Sequence, residues 1–330
     1  INAQDTFTKY GASCMRPCSL RAMQEISRSC VDLDEVQRKT GDAIASLTRN
    51  EAAYLTNGAA GGLTVCSAAV LALDSEEAYH ALPETGARCE IIIQRAQRNQ
   101  YDRSLAATGA KIVYVGEGDK KPSRRELEEA ITERTAAVAY FIYHGRDASL
   151  PLEEVVEIAH RSGGKTLRGP QDSGLVLGKR EWIERCRRWG PPMDGVCRGC
   201  KTSREAMVGL YAAVKAYLAQ DETAVQCALE RACARFERTL RGCGFTRVWR
   251  EQEGPVGQSF PRSFGTVPFG SAVRLAQLMR TCGIYIGAQE DNSILLNPLM
   301  LTSRQVGIVC EALKQSMREM KREENKNGCN

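Results

Sequence analysis

The chain has no apolar run near the ~18 residues that a membrane span requires. Its longest candidate, Val65 to Leu73, is broken by Cys66 and Ser67. Histidine is scarce, with three residues, His80, His144 and His160, far apart in sequence. The lone Cys197-Arg198-Gly199-Cys200 pair therefore lacks the ligands that would complete a zinc site, and no metal is expected; a thiol redox role is the other use such a pair has. The chain has no internal repeat and no low-complexity linker. It also lacks a clustered basic face. Its 45 basic and 40 acidic residues leave a net charge of +5 spread along the sequence, which suits small anions and gives no nucleic-acid footprint. The first residues, from Ile1, contain neither a basic n-region nor an apolar h-region, so no secretory signal is visible, and the missing initiator Met suggests a trimmed or incomplete N-terminus. A cytoplasmic protein is expected. Its 14 cysteines, irregularly spaced, read as reduced buried thiols and not as a disulfide framework.

What remains is an ordinary globular composition, 43% hydrophobic and 26% charged, over 330 residues. That length accommodates one large domain and a smaller one. Residues 1–20 read as an arm, and 23–47 as helix in two pieces. Strands are predicted at 52–56, 90–94, 111–115, 136–143 and 174–178, separated by helices at 59–73, 104–107, 123–131, 152–160 and 182–188. Ser123 with Glu126 three residues on forms a capping box. This alternation predicts an α/β domain with a mainly parallel sheet. Residues 204–240 read as long helix divided near Asp221. A small α+β region follows, with strands near 245–249, 283–286 and 293–297, helices at 272–281 and 303–317, and a frayed end from Lys321. The expected domains are 1–47 (arm and helices), 48–205 (large), 206–243 (connecting helices) and 244–330 (small).

The run Ser162-Gly163-Gly164-Lys165-Thr166-Leu167-Arg168-Gly169-Pro170-Gln171 places one lysine among glycines, three residues after a serine. An amine presented this way suits imine chemistry with an aldehyde cofactor, the serine lying near the cofactor's phosphate. A solvated loop cation is the plain alternative. Thr56-Asn57-Gly58-Ala59-Ala60-Gly61-Gly62 joins a predicted strand to a helix start, where unpaired N–H groups and the helix dipole favour an anion. Tight strand–helix packing competes with that reading. A dinucleotide loop fits poorly, because Gly58, Gly61 and Gly62 do not space as G-x-G-x-x-G. Gln94 to Asp102 lies just past a buried strand, either a ligand loop or a solvated one. Arg198, Lys201 and Arg204 form a basic cluster that would hold a carboxylate or phosphate, or simply solvate a helix start.

These segments occur in one order along nearly the whole chain, together with Ile1-Asn2-Ala3, Val31 to Asp34, Glu51 to Ala60 and Ile294-Leu295-Leu296-Asn297-Pro298. Together they resemble the family of bacterial pyridoxal-phosphate (PLP) enzymes related to L-seryl-tRNA(Sec) selenium transferase, most closely its D-glucosaminate-6-phosphate ammonia-lyase branch. The resemblance implies the PLP-dependent transferase fold of type I, with a mainly parallel large domain and a small α+β C-terminal domain. It implies that Lys165 is the Schiff-base lysine. Ser162 and the Asn57-Gly58-Ala59-Ala60 turn would hold the cofactor's phosphate. Gln97 would stand where the family commonly has a ring-stacking histidine. Arg168, Arg198 and Lys201 would line the substrate end. A homo-oligomer is likewise implied.

Two departures from the family pattern matter. Gln97 is not an aromatic ring. The chain also passes directly from Arg161 to Ser162, where the family inserts a strand, a helix and a second strand, on the order of 30 residues. The first of those strands carries the aspartate that keeps the pyridine nitrogen protonated. A stretch absent from the numbering, a natural deletion, or a substitute carboxylate such as Asp172 would each account for this. Removing central strands from a parallel sheet should wreck its core, which favours the first. The expected activity is loss of water and ammonia from a small β-hydroxy amino acid or amino sugar acid, giving a 2-keto acid. Selenium-transfer chemistry on seryl-tRNA and a non-catalytic relative are the alternatives. The expected partner is a small anionic substrate, with no membrane and no nucleic acid.

Overall fold

Helix starts near the N-terminus are set by local chemistry. Pro17 opens α1 (Pro17–Ile26) in the first turn, where proline's missing N–H costs nothing. The Asp32 carboxylate caps α2 (Leu33–Thr48) by accepting from the N–H groups of Asp34 and Glu35. The expected arm is thus helical from Pro17 onward. β1 (Ala52–Thr56) and α3 (Gly58–Ala72) follow, then α4 (Glu76–Ala81), which the sequence reading missed. β2 (Glu90–Gln94), α5 (Asp102–Ala106) and β3 (Lys111–Val115) come next. The capping box of Ser123 and Glu126 forms as expected at the start of α6 (Arg124–Ala130), and β4 (Thr135–Ala139) follows. After β5 (Gly174–Gly178) come α7 (Arg180–Trp189) and α8 (Arg204–Leu218). The computed structural model describes residues 1–118, 120–141, 148–150, 152, 167–252 and 260–327. The helix expected at 152–160 and the end of the strand expected at 136–143 lie outside them.

Residues 15–219 form one compact unit. Among its described residues the strands fall into two sheets. The first has the order β3-β2-β4 and is parallel throughout. Its centre is the apolar run Ile91, Ile92 and Ile93, each at most 1% exposed, as expected of a strand covered on both faces. The second sheet is the antiparallel pair β1 and β5. Each has its own core. Ile93, Leu105 and Ala110 pack beside β2, and Ile44, Leu55, Leu175 and Leu210 pack beside β1 and β5. The described strands therefore have packed cores in two separate parts. The outer edge of β1 is covered by side chains. The buried Gln37 amide donates to the Leu55 carbonyl (2.7 Å) and accepts from its N–H (3.1 Å), and Arg187 donates to the Ala53 carbonyl (3.1 Å).

Residues 1–14 with 220–330 form the second unit. Asp221 caps α9 (Glu222–Gly242), the division expected near that residue. β6 (Val248–Glu251), β7 (Arg262–Thr266), α10 (Ala272–Thr281), β8 (Gly287–Ala288), β9 (Ser293–Leu296) and α11 (Ser303–Asn327) complete it. The sheet order is β6-β7-β9-β8, antiparallel at every pairing. β7 escaped the sequence reading because it begins on Arg262 and contains Gly265. Arg262 is nonetheless buried, 3.5 Å from Asp5, and Gly265 is required because a Cβ there would stand 2.8 Å from Phe245. The strand expected at 283–286 is displaced to β8, while Ile284 and Ile286 fill the core. α11 continues past Lys321 instead of fraying there, since Met317 and Met320 are buried and Glu323 pairs with Arg274. Residues 1–3 are held in the same unit, with Ala3 N–H donating to the Tyr285 carbonyl (2.9 Å).

Leu210 on α8 is completely buried among Ile44, Leu55 and Leu175. Leu210→Ala is expected to lower stability by about 2–5 kcal/mol, read from the shift of the urea unfolding midpoint at unchanged slope.

Candidate functional site

The junction of β1 and α3 is held from both sides. Thr56 Oγ1 donates to the Gly58 carbonyl (2.9 Å), which folds the chain back over the strand end. Gly58 has φ of +64°, a conformation natural to glycine, and a Cβ there would meet open space. Gly174, the first residue of β5, passes so close that a Cβ on it would lie 2.5 Å from the Gly58 carbonyl carbon. Among the described residues no side-chain cap closes α3, since Asn57 makes no capping hydrogen bond. The first N–H groups of this 15-residue helix are therefore left to a ligand or water, with Ala59 and Ala60 exposed. The packing reading of the glycine run is realised at Gly62. Gly62 is the packing glycine, where a Cβ would lie 3.2 Å from Thr56 and 3.3 Å from Val176, and Gly58 shapes the open turn.

Polar side chains gather at the carboxyl end of β2. Gln97, expected at the ring-stacking position, is completely buried, and its Oε1 accepts from the Phe141 N–H (3.1 Å). Gln94, the first residue of the candidate loop, is equally buried and accepts from the Leu150 N–H (2.6 Å). Among the described residues the Nε2 atoms of both amides have no hydrogen-bond partner. The polar tip of the otherwise apolar run Glu90 to Gln94 was the available sequence clue. The loop following β2 is thus not simply solvated. Its cations turn toward β3, with the Arg95 and Arg98 guanidinium groups 5.5 Å and 5.3 Å from the centre of the Tyr114 ring.

Ser162 and Lys165 lie outside the described residues. Arg168 is described, with φ of +60°, and its carbonyl accepts from the Arg16 N–H (3.1 Å). The Arg16 guanidinium donates to the Leu167 carbonyl (3.1 Å), and its pKa is lowered by burial and then by the charge of Arg168. Two guanidinium groups therefore share one neighbourhood immediately after the lysine run. No sequence pattern linked Arg16 to this place, which is more than 150 residues away. Asp172 is exposed in the turn before β5, so it is not the buried carboxylate that a ring nitrogen would need.

The basic cluster after Pro191-Pro192 separates into different tasks. Arg198 is exposed and paired with Asp194 (2.8 Å). Lys201 is exposed. Arg204 is structural, pairing with Glu205 (2.8 Å) and donating to the carbonyls of Ser27 and Ser29 beyond α1. The Cys197 and Cys200 thiols lie beside the turn, lining with Thr56, Asn57 and Gly61 a cavity of about 10 Å³, room for one water. Among the described residues no group of three or more His, Cys, Asp or Glu side chains is arranged to hold a metal ion. Nor does any described helix have the length and apolar character to cross a membrane.

No protein-family model matches the chain. Among curated proteins it is similar to D-glucosaminate-6-phosphate ammonia lyase of Salmonella typhimurium, 26% identical over 263 positions covering 69% of this chain and 70% of that protein. It is similar at the same 26% identity to the 5'-C-glycyluridine monooxygenase-decarboxylase of a Streptomyces species, covering 73% of this chain and 67% of that one. The L-seryl-tRNA(Sec) selenium transferase of Alkaliphilus metalliredigens is 32% identical over 25% of this chain and 16% of its own length. The motifs thus pointed to the group of proteins that the comparisons return. A solved structure of D-glucosaminate-6-phosphate ammonia-lyase matches with a TM-score of 0.82 at 21% identity, covering 97% of this chain and 96% of that one. An aspartate aminotransferase from Thermus thermophilus matches with a TM-score of 0.53 at 12% identity over 97% and 99%. The fold is that of these enzymes, as expected. The 263-position match to the lyase contains only 69% of these 330 residues, leaving about 35 positions of the relative with no counterpart here.

Burial, followed by the hydrogen bond with Cys200, pushes the Cys197 thiol up to about 12. Its thiolate is therefore scarce at pH 8. Alkylation of Cys197, followed by peptide mass spectrometry, is expected to be at least about a hundredfold slower than for a free thiol of pKa ~8.5. The rate should climb as pH rises toward 12.

Proposed function

We propose that this chain is a PLP-dependent lyase that eliminates the β-hydroxyl of a small β-hydroxy amino acid or amino sugar acid resembling D-glucosaminate 6-phosphate as water, after which water hydrolyses the resulting enamine to a 2-keto acid and ammonia. The observation that carries the reading is the turn after β1, an uncapped helix start opened by Gly58, within a fold that matches the ammonia-lyase structure over 97% of the chain. The phosphate end of PLP fits that turn, because small residues and unpaired N–H groups stand where a dianion is stabilised. When bound, the cofactor supplies an electron sink for the bond broken at the substrate's α-carbon.

The remaining tasks fall to the chain's own side chains. Asn57, Gly58, Ala59 and Ala60 hold the phosphate with their backbone, together with the Ser162 hydroxyl. The Lys165 amine anchors the cofactor in the resting enzyme and then moves the proton at the substrate's α-carbon. Gln97 supports the cofactor ring from the end of β2, its free Nε2–H the donor left for a ligand oxygen. Arg168 receives the anionic end of the substrate, and the adjacent Arg16 adds a second positive charge there. Arg198 and Lys201 belong to the same substrate end in this reading. The protein works as a homo-oligomer and inside the cell.

Neither alternative is favoured: the selenium-transferase match covers 25% of this chain, and the ammonia-lyase likeness covers nearly all of it. A different reaction type deserves a control, because a monooxygenase-decarboxylase is equally identical in sequence. The purified protein incubated with PLP is expected to show visible-range absorbance that borohydride fixes covalently. Lys165→Ala should abolish the fixation, and Gly58→Val should weaken PLP affinity by about tenfold or more, since a β-branched residue resists the positive φ. Hydroxylated amino acids screened without oxygen should yield keto acid and ammonia in equal amounts. Turnover that requires oxygen and releases carbon dioxide would replace the lyase reading, and absence of fixed cofactor in the unsubstituted protein would remove both.

A further inference from the structure

The unit formed by residues 1–14 and 220–330 contains a second concave site, separate from the residues assigned to the cofactor. Between α9 and α11 lies a cavity of about 580 Å³, within the size range of small-molecule sites. Arg235 and Arg238 face it from α9, spaced i and i+3. Lys314, Arg318 and Lys321 face it from α11, spaced i, i+4 and i+7. Both spacings put the charges on one helix face. Among the described residues no carboxylate lines the cavity.

The acids of these helices are drawn elsewhere. On α9, Glu230 and Glu237 both pair with Arg250 of β6. On α11, Glu323 pairs with Arg274 of α10. Glu311 pairs with Lys314 (2.8 Å) without lining the cavity; among the described residues it is the one carboxylate hydrogen-bonded to a lining cation, and the charges of Arg235 and Arg318 help to lower its pKa. Five cations therefore converge in a chain whose total net charge is also +5. Such convergence opposes folding unless an anion offsets it. The wall between the charges is apolar, formed by Phe269 and Met317, and Gly242 leaves open space where a side chain would intrude. Cys243 also lines the cavity; burial raises its pKa, while Lys314 and Arg318 act in the opposite direction, which places both cations near the thiol.

We propose that this cavity binds a small molecule carrying two or more phosphate groups together with an apolar or aromatic portion, the chemistry of a nucleoside di- or triphosphate. A single phosphate would leave most of the cations unmatched. A bounded cavity with an apolar wall suits a compact ligand better than a nucleic-acid strand, which needs an extended basic track.

The test uses the full-length protein saturated with PLP, so that the cofactor's phosphate site is filled. Calorimetry compares ATP, tripolyphosphate, inorganic phosphate, adenosine and a 20-nucleotide single-stranded RNA at two salt concentrations. ATP should bind at least tenfold tighter than phosphate and tighter than tripolyphosphate or adenosine, with affinity falling as salt rises. The exposed pair Arg238→Glu and Arg318→Glu, combined, should weaken ATP binding at least tenfold with the melting temperature and PLP absorbance retained. ATP should also slow alkylation of Cys243 in the unsubstituted protein. Unchanged ATP affinity in the charge-reversed protein overturns the site. Binding of RNA without ATP assigns the patch to nucleic acid, and equal affinity for ATP and tripolyphosphate removes the apolar portion; either result rejects the proposal as stated.

Discussion

The antiparallel pairing of β1 with β5 is the constraint on which the candidate site depends. Its register sets Thr56 opposite Gly174 and Leu55 opposite Leu175. The turn that leaves β1 and the segment that follows the lysine run are thereby brought to the same end of one strand pair. Gly174 lets the two backbones approach within the reach of a single missing Cβ. The apolar faces of the same pair supply the adhesion, since Leu55, Leu175 and Leu177 are buried against α2 and α8. Burial of each such side chain stabilises by roughly 1.5–3 kcal/mol, far more than the hydrogen bond of Thr56 that shapes the turn, at about 1 kcal/mol. The site's geometry is thus a by-product of ordinary strand packing, sharpened by one glycine on each side.

The sheet edges need their backbone groups satisfied. Strands left without neighbours expose rows of N–H and C=O groups, which are costly when buried. On β1 those groups are satisfied by side chains in place of a strand, Gln37 acting on Leu55 and Arg187 on Ala53. At the end of β2 the amides of Gln94 and Gln97 perform a similar task, holding the backbone of Leu150 and Phe141. In each of these amides one nitrogen remains buried and unpartnered, at a cost of about 1–3 kcal/mol each. Such strain is retained in native proteins mainly at working sites. The position agrees, because the carboxyl ends of parallel strands are where α/β folds place ligands.

Much of this architecture was legible in the sequence. β1, β2, β3, β5 and α10 have the bounds expected of them, because apolar runs ended by Gly, Asn or Gln define both period and limits. β7 was not legible, since Arg262 and Gly265 are explained only by partners distant in sequence, Asp5 and Phe245. The end of α11 was misread because its exposed polar residues conceal Met317 and Met320 beneath them. At the site, the Gly58 turn could be read from composition alone. The burial of Gln97, the role of Gln94 and the closeness of Arg16 to Arg168 could not, as each depends on which distant segment the fold brings alongside. Cationic clusters were the least readable feature. Arg198, Lys201 and Arg204 are neighbours in sequence yet serve separate ends, whereas Arg235 and Arg318 are 83 residues apart and line one cavity.

Two proteins of equal identity to this chain carry different reaction names, one a lyase and one a monooxygenase-decarboxylase. A shared cofactor-holding framework with a variable substrate end explains such a pair, since the framework fixes where the aldehyde sits and the substrate end fixes which bond lies aligned for cleavage. In the proposed reading the framework includes the Gly58 turn and the β1–β5 pair, and the substrate end includes Arg168, with Arg16 beside it. A guanidinium pair binds a carboxylate or phosphate through several donors and is not deprotonated at any ordinary pH. It therefore orients an anionic substrate without entering the proton transfer. The choice between elimination and decarboxylation then rests on which substituent the pair holds: gripping a distal phosphate leaves the α-carboxylate free, whereas gripping the α-carboxylate fixes that group and leaves the α-proton as the bond to break.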